Sequence, residues 1–239
     1  CPYRGLQTFE AEHAEFFFGR EALITQLVTT LATLHPSDSS AAEGGNAPIR
    51  FLAVIGASGS GKSSLVRAGL VPALQHGALP GSDQWTVVML KPGSRPLEGL
   101  ATRIAPVLYE RGEQLTAARH LLDSLRDDGR ALRLALRLAW KRQSPGQMLV
   151  LIVDQFEEIF ALCQEEAEHH RFIENLLYAA SSEGEVMIVL TMRADVCHSG
   201  AAYRDLATRI SAQQVLVGPM DRAELRRAIE RPAHQVGLR

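Results

Sequence analysis

The chain has 239 residues, of which 46% are hydrophobic and 22% are charged, and its formal net charge is −2. These values are typical of a globular protein with one large or two small domains, and they argue against a general nucleic-acid or anionic-membrane binder. Cys1, Cys163 and Cys197 are odd in number and lack metal-ligand spacing, so we expect a reducing, cytoplasmic location.

The first fifty residues contain an aromatic-rich segment, a predicted helix and a predicted loop. Residues 1–19 include Tyr3, Phe9 and three consecutive phenylalanines at 16–18. Apolar residues between 23 and 34 then follow a helical period, which must end at His35-Pro36. Residues 37–48 are small and polar, which predicts a surface loop.

A phosphate-binding loop is predicted next. Residues 51–55 (FLAVI) suit a buried parallel strand, and residues 56–63 (GASGSGKS) fit the pattern G-x-x-x-x-G-K-[ST]. Helical spacing follows, so the loop lies between strand and helix, where its backbone N–H groups and the helix N-terminus can meet phosphates. Lys62 would contact the β- and γ-phosphates, and the Ser63 hydroxyl would bind Mg²⁺. The predicted phosphate-binding residues are Gly56, Ser58, Gly59, Ser60, Gly61, Lys62, Ser63 and Ser64.

The middle of the chain predicts one strand, over residues 85–90, and then a group of helices. The helices are predicted over residues 96–109, 114–126 and 130–142. Basic residues share one face of the last helix: Arg130, Arg133, Arg137 and Lys141. Such a face can bind nucleic acid or acidic lipid, but it is more often a solvated surface. We therefore expect no direct contact with nucleic acid.

A second nucleotide motif follows the apolar residues 148–153, a predicted strand that ends in Asp154. An acid at the carboxyl end of a central parallel strand lies where α/β sheets bind ligands and can hold Mg²⁺, as the Walker B acid does. Glu157 and Glu158 follow closely enough for either to polarise an attacking water, and the sequence does not choose between them. A further helix is predicted over residues 165–182.

The last third of the chain predicts two more strands, over residues 186–191 and 214–217. The first of them is followed by Arg193, whose guanidinium could detect the γ-phosphate of ATP or could instead pair with Asp195. Asp221 begins a predicted helix that runs toward Pro232.

Five predicted strands alternate with helices, which indicates a three-layer α/β fold with a five-stranded parallel sheet. The motif positions favour the additional-strand class of P-loop NTPases, in which the strand before Arg193 lies between the P-loop strand and the strand before Asp154. We expect a nucleotide-binding domain over residues 1–217 and the beginning of a helical domain over 218–239.

Several segments together resemble the bacterial novel STAND NTPases, which are signal-transducing ATPases related to the NACHT and apoptotic ATPases. The segments are CPYRGL at 1–6, FFFGRE at 16–21, the P-loop, DQFEE at 154–158 and TMRAD at 191–195. The resemblance covers the chain from residue 1 to its end. It implies a switch that is quiescent with ADP and forms homo-oligomers with ATP, flanked by an N-terminal effector and a C-terminal repeat sensor.

The same resemblance implies roles for individual residues. Phe18, Gly19 and Arg20 would lie in the adenine pocket, Asp154 would be the Mg²⁺ acid, and Arg193 the γ-phosphate sensor. Glu157 and Glu158 would match the acidic pair of the extended Walker B motif. The chain departs from the pattern at Gln155, where NACHT relatives usually carry a small residue. The family's Gly-x-Pro motif is not found before Arg239, so we expect an excised piece that hydrolyses ATP slowly.

Other nucleotide-dependent functions can be ranked against this one. A GTPase needs an [NT]-K-x-D motif, and none of the three lysines has that setting. An ABC-type ATPase needs a Ser-Gly-Gly signature, and a helicase would be more basic. A small-molecule kinase with Asp154 as its base remains an alternative, as does a scaffold that binds ATP without hydrolysing it. No apolar run of about 18 residues occurs, so no membrane partner is expected.

Overall fold

The computed structural model describes residues 2–35, 49–110, 112–140, 148–181, 186–196 and 203–237. Its strands are β1 (Phe51–Gly56), β2 (Thr86–Leu90), β3 (Leu149–Val153), β4 (Val186–Arg193) and β5 (Gln214–Val217). They form one parallel sheet in the order β2-β3-β4-β1-β5. Because β4 lies between β1 and β3, the predicted additional-strand class of P-loop NTPase fold is confirmed.

Helices connect the strands and pack on both faces of the sheet. The α-helices are α1 (Glu21–Leu34), α2 (Lys62–Ser64), α3 (Val71–Gln75), α4 (Pro96–Leu108), α5 (Gln114–Asp127), α6 (Ala131–Trp140), α7 (Glu158–Leu162), α8 (Glu166–Ala179), α9 (Arg204–Ala212) and α10 (Arg222–Gln235). A π-helical segment, Leu65–Leu70, joins α2 to α3, and 3-10 helices cover Ala11–Phe16, Ser82–Gln84 and Ala194–Val196. Within the described ranges, no helix combines the length and the apolar character needed to cross a bilayer.

The core lies in two layers, one on each side of the sheet. Alternate residues of β1 point to opposite faces: Phe51, Ala53 and Ile55 join one buried cluster, whereas Leu52 and Val54 join the other. The first cluster includes residues of α4, α5, α6, α8 and α9, and the second those of α1, the π-helical segment and α3. Every residue of β1 and β3 is buried, which explains why both strands are almost entirely apolar. The three-layer architecture is therefore confirmed.

The structure differs from the sequence-based expectations in a few elements. Helix α9 was not predicted, and α10 continues through Pro232 to Gln235 instead of ending near the proline. Of the predicted basic face on α6, Arg137 is exposed and the Arg130 guanidinium lies 5.6 Å from the centre of the Tyr178 ring. Lys141, the predicted loop 37–48, Cys1 and Cys197 lie outside the described residues. A separate domain after residue 217 stays a prediction.

Parallel pairing brings the ends of three strands to one edge of the sheet. Gly56 at the end of β1 is opposite Arg193 on β4, and Val153 at the end of β3 is opposite Leu190. Asp154 therefore lies beside Thr191, next to the loop that follows Gly56. This edge positions the candidate site.

Candidate functional site

The P-loop turns sharply between β1 and α2. Gly59 and Gly61 have φ values of 73° and 88°, in the region that glycine adopts without strain. Gly56 is needed for a different reason, because a Cβ there would lie 2.5 Å from the Val217 carbonyl oxygen of β5. Glycine at this position therefore allows the end of β1 to lie close to the backbone of β5.

Lys62 begins α2 and points its ammonium group back into the loop. Its Nζ donates hydrogen bonds to the carbonyl oxygens of Gly56 (3.0 Å) and Ala57 (2.7 Å), and only 8% of the residue is exposed. Burial lowers the pKa of Lys62, while the nearby Glu157 carboxylate opposes that shift. A group held this way can exchange its two carbonyl partners for phosphate oxygens without further desolvation.

The Ser63 hydroxyl and the Asp154 carboxylate meet at the base of the loop. Ser63 Oγ donates to Asp154 Oδ1 over 2.7 Å, and Thr191 Oγ1 donates to the same oxygen over 2.6 Å. A hydroxyl beside a carboxylate is the hard-oxygen donor pair that suits Mg²⁺. Among the residues that the structure describes, no group of three or more His, Cys, Asp or Glu side chains could hold a metal ion by itself. The donor set therefore fits an ion whose remaining ligands are phosphate oxygens and water.

The turn after Asp154 separates the two candidate bases. Gln155 has a φ of 55°, and its N–H donates to Thr191 Oγ1 over 2.9 Å. Glu157 lines the cleft, and its Oε2 accepts a hydrogen bond from the Arg193 backbone N–H (3.3 Å). Glu158, in contrast, begins α7 and is absent from the described lining of the cleft.

Arg193 ends β4 at the rim of the same cleft. Its guanidinium also pairs with Asp195, Nε to Oδ1 over 3.0 Å. That hydrogen bond to Asp195 raises the pKa of Arg193. Arg193 therefore lines the cleft while it is paired with Asp195, and its role as a γ-phosphate sensor stays a prediction.

A cleft of about 390 Å³ lies over the loop and has two walls. One wall is the edge of the sheet, with Lys62, Ser63, Glu157 and Arg193. The other wall consists of N-terminal residues: Gly5, Leu6, Gln7, Thr8, Phe9 and Phe17. The aromatic character of this segment is evident from the sequence, but residues 5–9 were not predicted to line the site.

The predicted adenine-pocket residues lie between the P-loop and α10. Arg20, which is 5% exposed, donates from Nη2 to the Gly218 carbonyl (2.7 Å) and to the Ser60 carbonyl (3.4 Å). Its Nη1 contacts Glu224 Oε2 over 3.4 Å. Gly19 packs so tightly that a Cβ would lie 2.5 Å from the Glu224 carbonyl oxygen.

The Phe18 ring lies 5.8 Å from the guanidinium carbon of Arg231 on α10. Among the described residues that line the cleft, the aromatic ones are Phe9 and Phe17. A direct contact of Phe18, Gly19 or Arg20 with a base stays a prediction. What the structure shows is that they join the P-loop to the last helix.

Comparison with known proteins agrees with this geometry. A family model described as Novel STAND NTPase 1 matches residues 2–239. The chain belongs to that family. The predicted resemblance is therefore confirmed, and the catalytic class it carries is nucleoside triphosphatase. No match was found among curated proteins.

Solved structures show the fold of this novel STAND NTPase in other proteins. The Walker-type ATPase PABY2304 of Pyrococcus abyssi superposes with a TM-score of 0.59 and 18% identity, over 98% of this chain and 63% of that one. The Aeropyrum pernix ORC2 protein, described as ADPNP-ADP complexes, has a TM-score of 0.62 and 14% identity, over 92% and 52%. The Aeropyrum pernix ORC1 protein in complex with DNA gives 0.58 and 14%, over 94% and 52%. The chain thus spans about half to two thirds of these structures.

Proposed function

We propose that this chain is the ATP-binding and slowly hydrolysing switch domain of a STAND signalling protein. One observation carries the proposal: a single cleft brings together Lys62, the Ser63–Asp154 pair, Glu157 and Arg193. ATP is favoured over GTP because Lys62, Lys91 and Lys141, the only lysines, lack the guanine-reading setting. ADP is the product that occupies the quiescent state.

The arrangement suggests how each residue acts. Lys62 would contact the β- and γ-phosphates, and Ser63 and Asp154 would hold Mg²⁺, which neutralises charge on the transferred phosphoryl group. Glu157 is the proposed base, because it lines the cleft, whereas Glu158 begins α7 and is not among the described lining residues. A carboxylate that already accepts a hydrogen bond from the Arg193 N–H is held at a defined position for an attacking water.

The switch would use the same contacts. Arg193 can pair with γ-phosphate oxygens that ATP has and ADP lacks, and its N–H is bonded to the proposed base. The N-terminal wall of the cleft contacts α10 through the Tyr3 hydroxyl, which donates to the Ile229 carbonyl over 2.6 Å. A change at the γ-phosphate could therefore reach α10 and the domains that follow. In the whole protein this would control homo-oligomerisation and effector activation in the cytoplasm.

Binding of fluorescent ATP tests the phosphate site. We expect Lys62→Ala to weaken binding by about 10- to 100-fold, the range for losing charge-assisted hydrogen bonds. Lys91→Ala is the matched control, because Lys91 is exposed at the end of β2 and should bind as the wild type does. Equal binding by the wild type and Lys62→Ala would remove the P-loop assignment.

Single-turnover hydrolysis of ATP tests which of Glu157 and Glu158 is the base, and it tests the kinase and scaffold alternatives. We expect Glu157→Gln to bind ATP but to lose at least about 100-fold in rate, whereas Glu158→Gln keeps most of it. Wild-type binding without hydrolysis would favour the scaffold. Phosphate transfer to an added acceptor would favour the kinase. The structure suits that alternative poorly, because Asp154, its proposed base, is buried and already accepts hydrogen bonds from Ser63 and Thr191. A full-length protein whose size does not respond to ATP would remove the switch.

A further inference from the structure

Arg67 lies between two carboxylates that belong to different parts of the molecule. It sits on the π-helical segment that follows the P-loop, and its Nη2 and Nε donate to Asp154 Oδ2 over 2.9 and 3.2 Å. Its Nη1 donates to Glu10 Oε1 over 2.6 Å. The Asp154 side chain is 1% exposed and that of Glu10 is 43% exposed, so one guanidinium connects a buried acid to an accessible one.

Glu10 directly follows the residues that form the N-terminal wall of the cleft. Within that wall, the Phe9 N–H donates to Ser64 Oγ over 3.1 Å. Glu10 and Phe9 therefore attach the wall to the same short stretch of helix, immediately after the P-loop. Of these two attachments, the Arg67–Glu10 ion pair is charged and the Phe9–Ser64 hydrogen bond is neutral.

We propose that Arg67 is a positioning residue that couples metal binding at Asp154 to the closure of the N-terminal wall. This rests on the proposed function, namely that a magnesium nucleotide binds in the cleft. Arg67 already supplies a positive charge to Asp154 Oδ2, so it competes with any cation for that carboxylate. When Asp154 binds a divalent cation, the positive charge of the cation repels the Arg67 guanidinium, which then pairs more strongly with Glu10.

The coupling must act equally in both directions. A stronger Arg67–Glu10 pair holds the wall against the loop when the metal is bound. Conversely, Glu10 draws the Arg67 charge away from Asp154 and so strengthens metal binding, because a coupling free energy between two sites is reciprocal. The wall would then close over a metal-loaded triphosphate more firmly than over a metal-free one.

A buried salt bridge with a purely structural role would behave differently. It would need only Arg67 and Asp154, and its loss would weaken nucleotide binding to the same extent with and without Mg²⁺. Burial lowers the pKa of Arg67, but the carboxylates of Asp154 and Glu10 more than offset this, so the net shift of the Arg67 pKa is upward. The informative quantity is therefore the metal dependence of binding rather than binding itself.

A double-mutant cycle on that quantity tests the inference. The dissociation constant of fluorescent ATP is measured with Mg²⁺ and with EDTA for the wild type, Glu10→Gln, Arg67→Gln and the double variant. We expect Glu10→Gln to reduce the Mg²⁺-dependent gain in affinity by about three- to tenfold, and to have a clearly smaller effect when Arg67 is already Gln. Glu15→Gln removes the same charge from an exposed residue of the 3-10 helix that follows Glu10, and it should leave the Mg²⁺-dependent gain in affinity unchanged.

Hydrogen exchange of residues 5–9 gives a second measurement that does not need turnover. Mg-ATP should slow exchange there in the wild type and do so much less in Glu10→Gln. Equal effects of Glu10→Gln in both Arg67 backgrounds, or unchanged metal dependence, would overturn the coupling while leaving the proposed function intact. A wild type that does not bind Mg-ATP at all would overturn both.

Discussion

The two walls of the cleft are built in different ways. The wall at the sheet edge is backed by buried, hydrogen-bonded side chains: Asp154 and Thr191 are 1% and 0% exposed, and Thr191 Oγ1 donates to Asp154 Oδ1. Over the described residues 2–20, the segment that forms the N-terminal wall has neither a strand nor an α-helix, and the 3-10 helix Ala11–Phe16 within it contains no buried residue. Leu6, which lines the cleft, is fully exposed.

Under the proposed function, this difference would place the catalytic groups on one wall and the ligand-dependent movement on the other. Catalytic groups need a fixed geometry, which a buried parallel sheet provides. Segments that move with ligand come from the less stable parts of a protein, where few apolar contacts resist opening. The N-terminal wall has that character, and it reaches the sheet wall through a few polar bonds such as Phe9 N–H to Ser64 Oγ.

The largest effect should come from removing the buried acid. Asp154→Ala leaves the Arg67 guanidinium with Glu10 alone and removes the acceptor of the Ser63 and Thr191 hydroxyls, which should lower the free energy of unfolding by about 3–5 kcal/mol. Urea denaturation of the nucleotide-free protein measures this. Asp195→Ala, at an exposed carboxylate on the rim, should cost less than about 0.5 kcal/mol. Similar losses of unfolding free energy in the two variants would contradict the view that buried side chains behind the sheet wall stabilise it.

Two glycines on the N-terminal side should differ by a smaller amount. Gly19 and Gly5 both have positive φ (90° and 60°), but a Cβ on Gly19 would meet the Glu224 carbonyl oxygen at 2.5 Å, whereas one on Gly5 would meet nothing within 4 Å. We expect Gly19→Ala to cost about 2–4 kcal/mol and Gly5→Ala about 1–2 kcal/mol. Thermal or urea unfolding compares them, and equal costs would show that the contact with α10 is not tight.

A third variant separates ligand contact from stability. Leu6→Ser should leave the free energy of unfolding within about 0.5 kcal/mol of the wild type, because the side chain is already exposed. It should still weaken ATP binding by a few-fold, since apolar surface at the cleft is lost. Leu115→Ser, at an exposed leucine on α5, should change neither quantity. A stability loss in Leu6→Ser would mean that the N-terminal wall supports the fold.

The smallest effect concerns pH. The pKa of Lys62 is lowered, chiefly by burial, so the ammonium loses its proton below the ordinary pKa of 10.5. Only the charged form can pair with phosphate, and the phosphates of ATP are already ionised in this range, so binding should weaken as the pH rises toward 10. Lys62→Arg should show a flatter profile, because arginine stays charged. Parallel profiles would mean that the proton is lost elsewhere.

The sheet wall could be predicted from sequence because its signals are local and its topology is restrictive. Apolar runs identify β1 and β3, and a parallel sheet with Asp154 and Arg193 at strand ends has few possible orders. Helix α9 was missed because only Leu206 and Ile210 on it are buried, a weak apolar pattern. The extension of α10 past Pro232 was missed because a proline inside a helix removes one backbone hydrogen bond and usually ends the helix, whereas this helix continues to Gln235.

The N-terminal wall could not be predicted to the same extent. Its aromatic residues were evident, but their partners lie far away in sequence and no local pattern identifies them. Arg20 illustrates this, since its guanidinium reaches carbonyl oxygens of Ser60 and Gly218. The proposed choice of Glu157 over Glu158 likewise rests on the turn at Gln155, whose φ of 55° cannot be read from its residue type.

The contacts between the first residues and α10 have a consequence for synthesis on the ribosome. Tyr3 bonds to Ile229, 226 positions later, and Arg20 to Glu224, 204 positions later. At about 5–20 residues per second, roughly 10–45 s separate the appearance of Tyr3 from that of Ile229. The sheet can therefore assemble strand by strand while the N-terminal segment waits for its partner. The bonds of Tyr3 and Arg20 to α10 can therefore form only after all five strands have been synthesised.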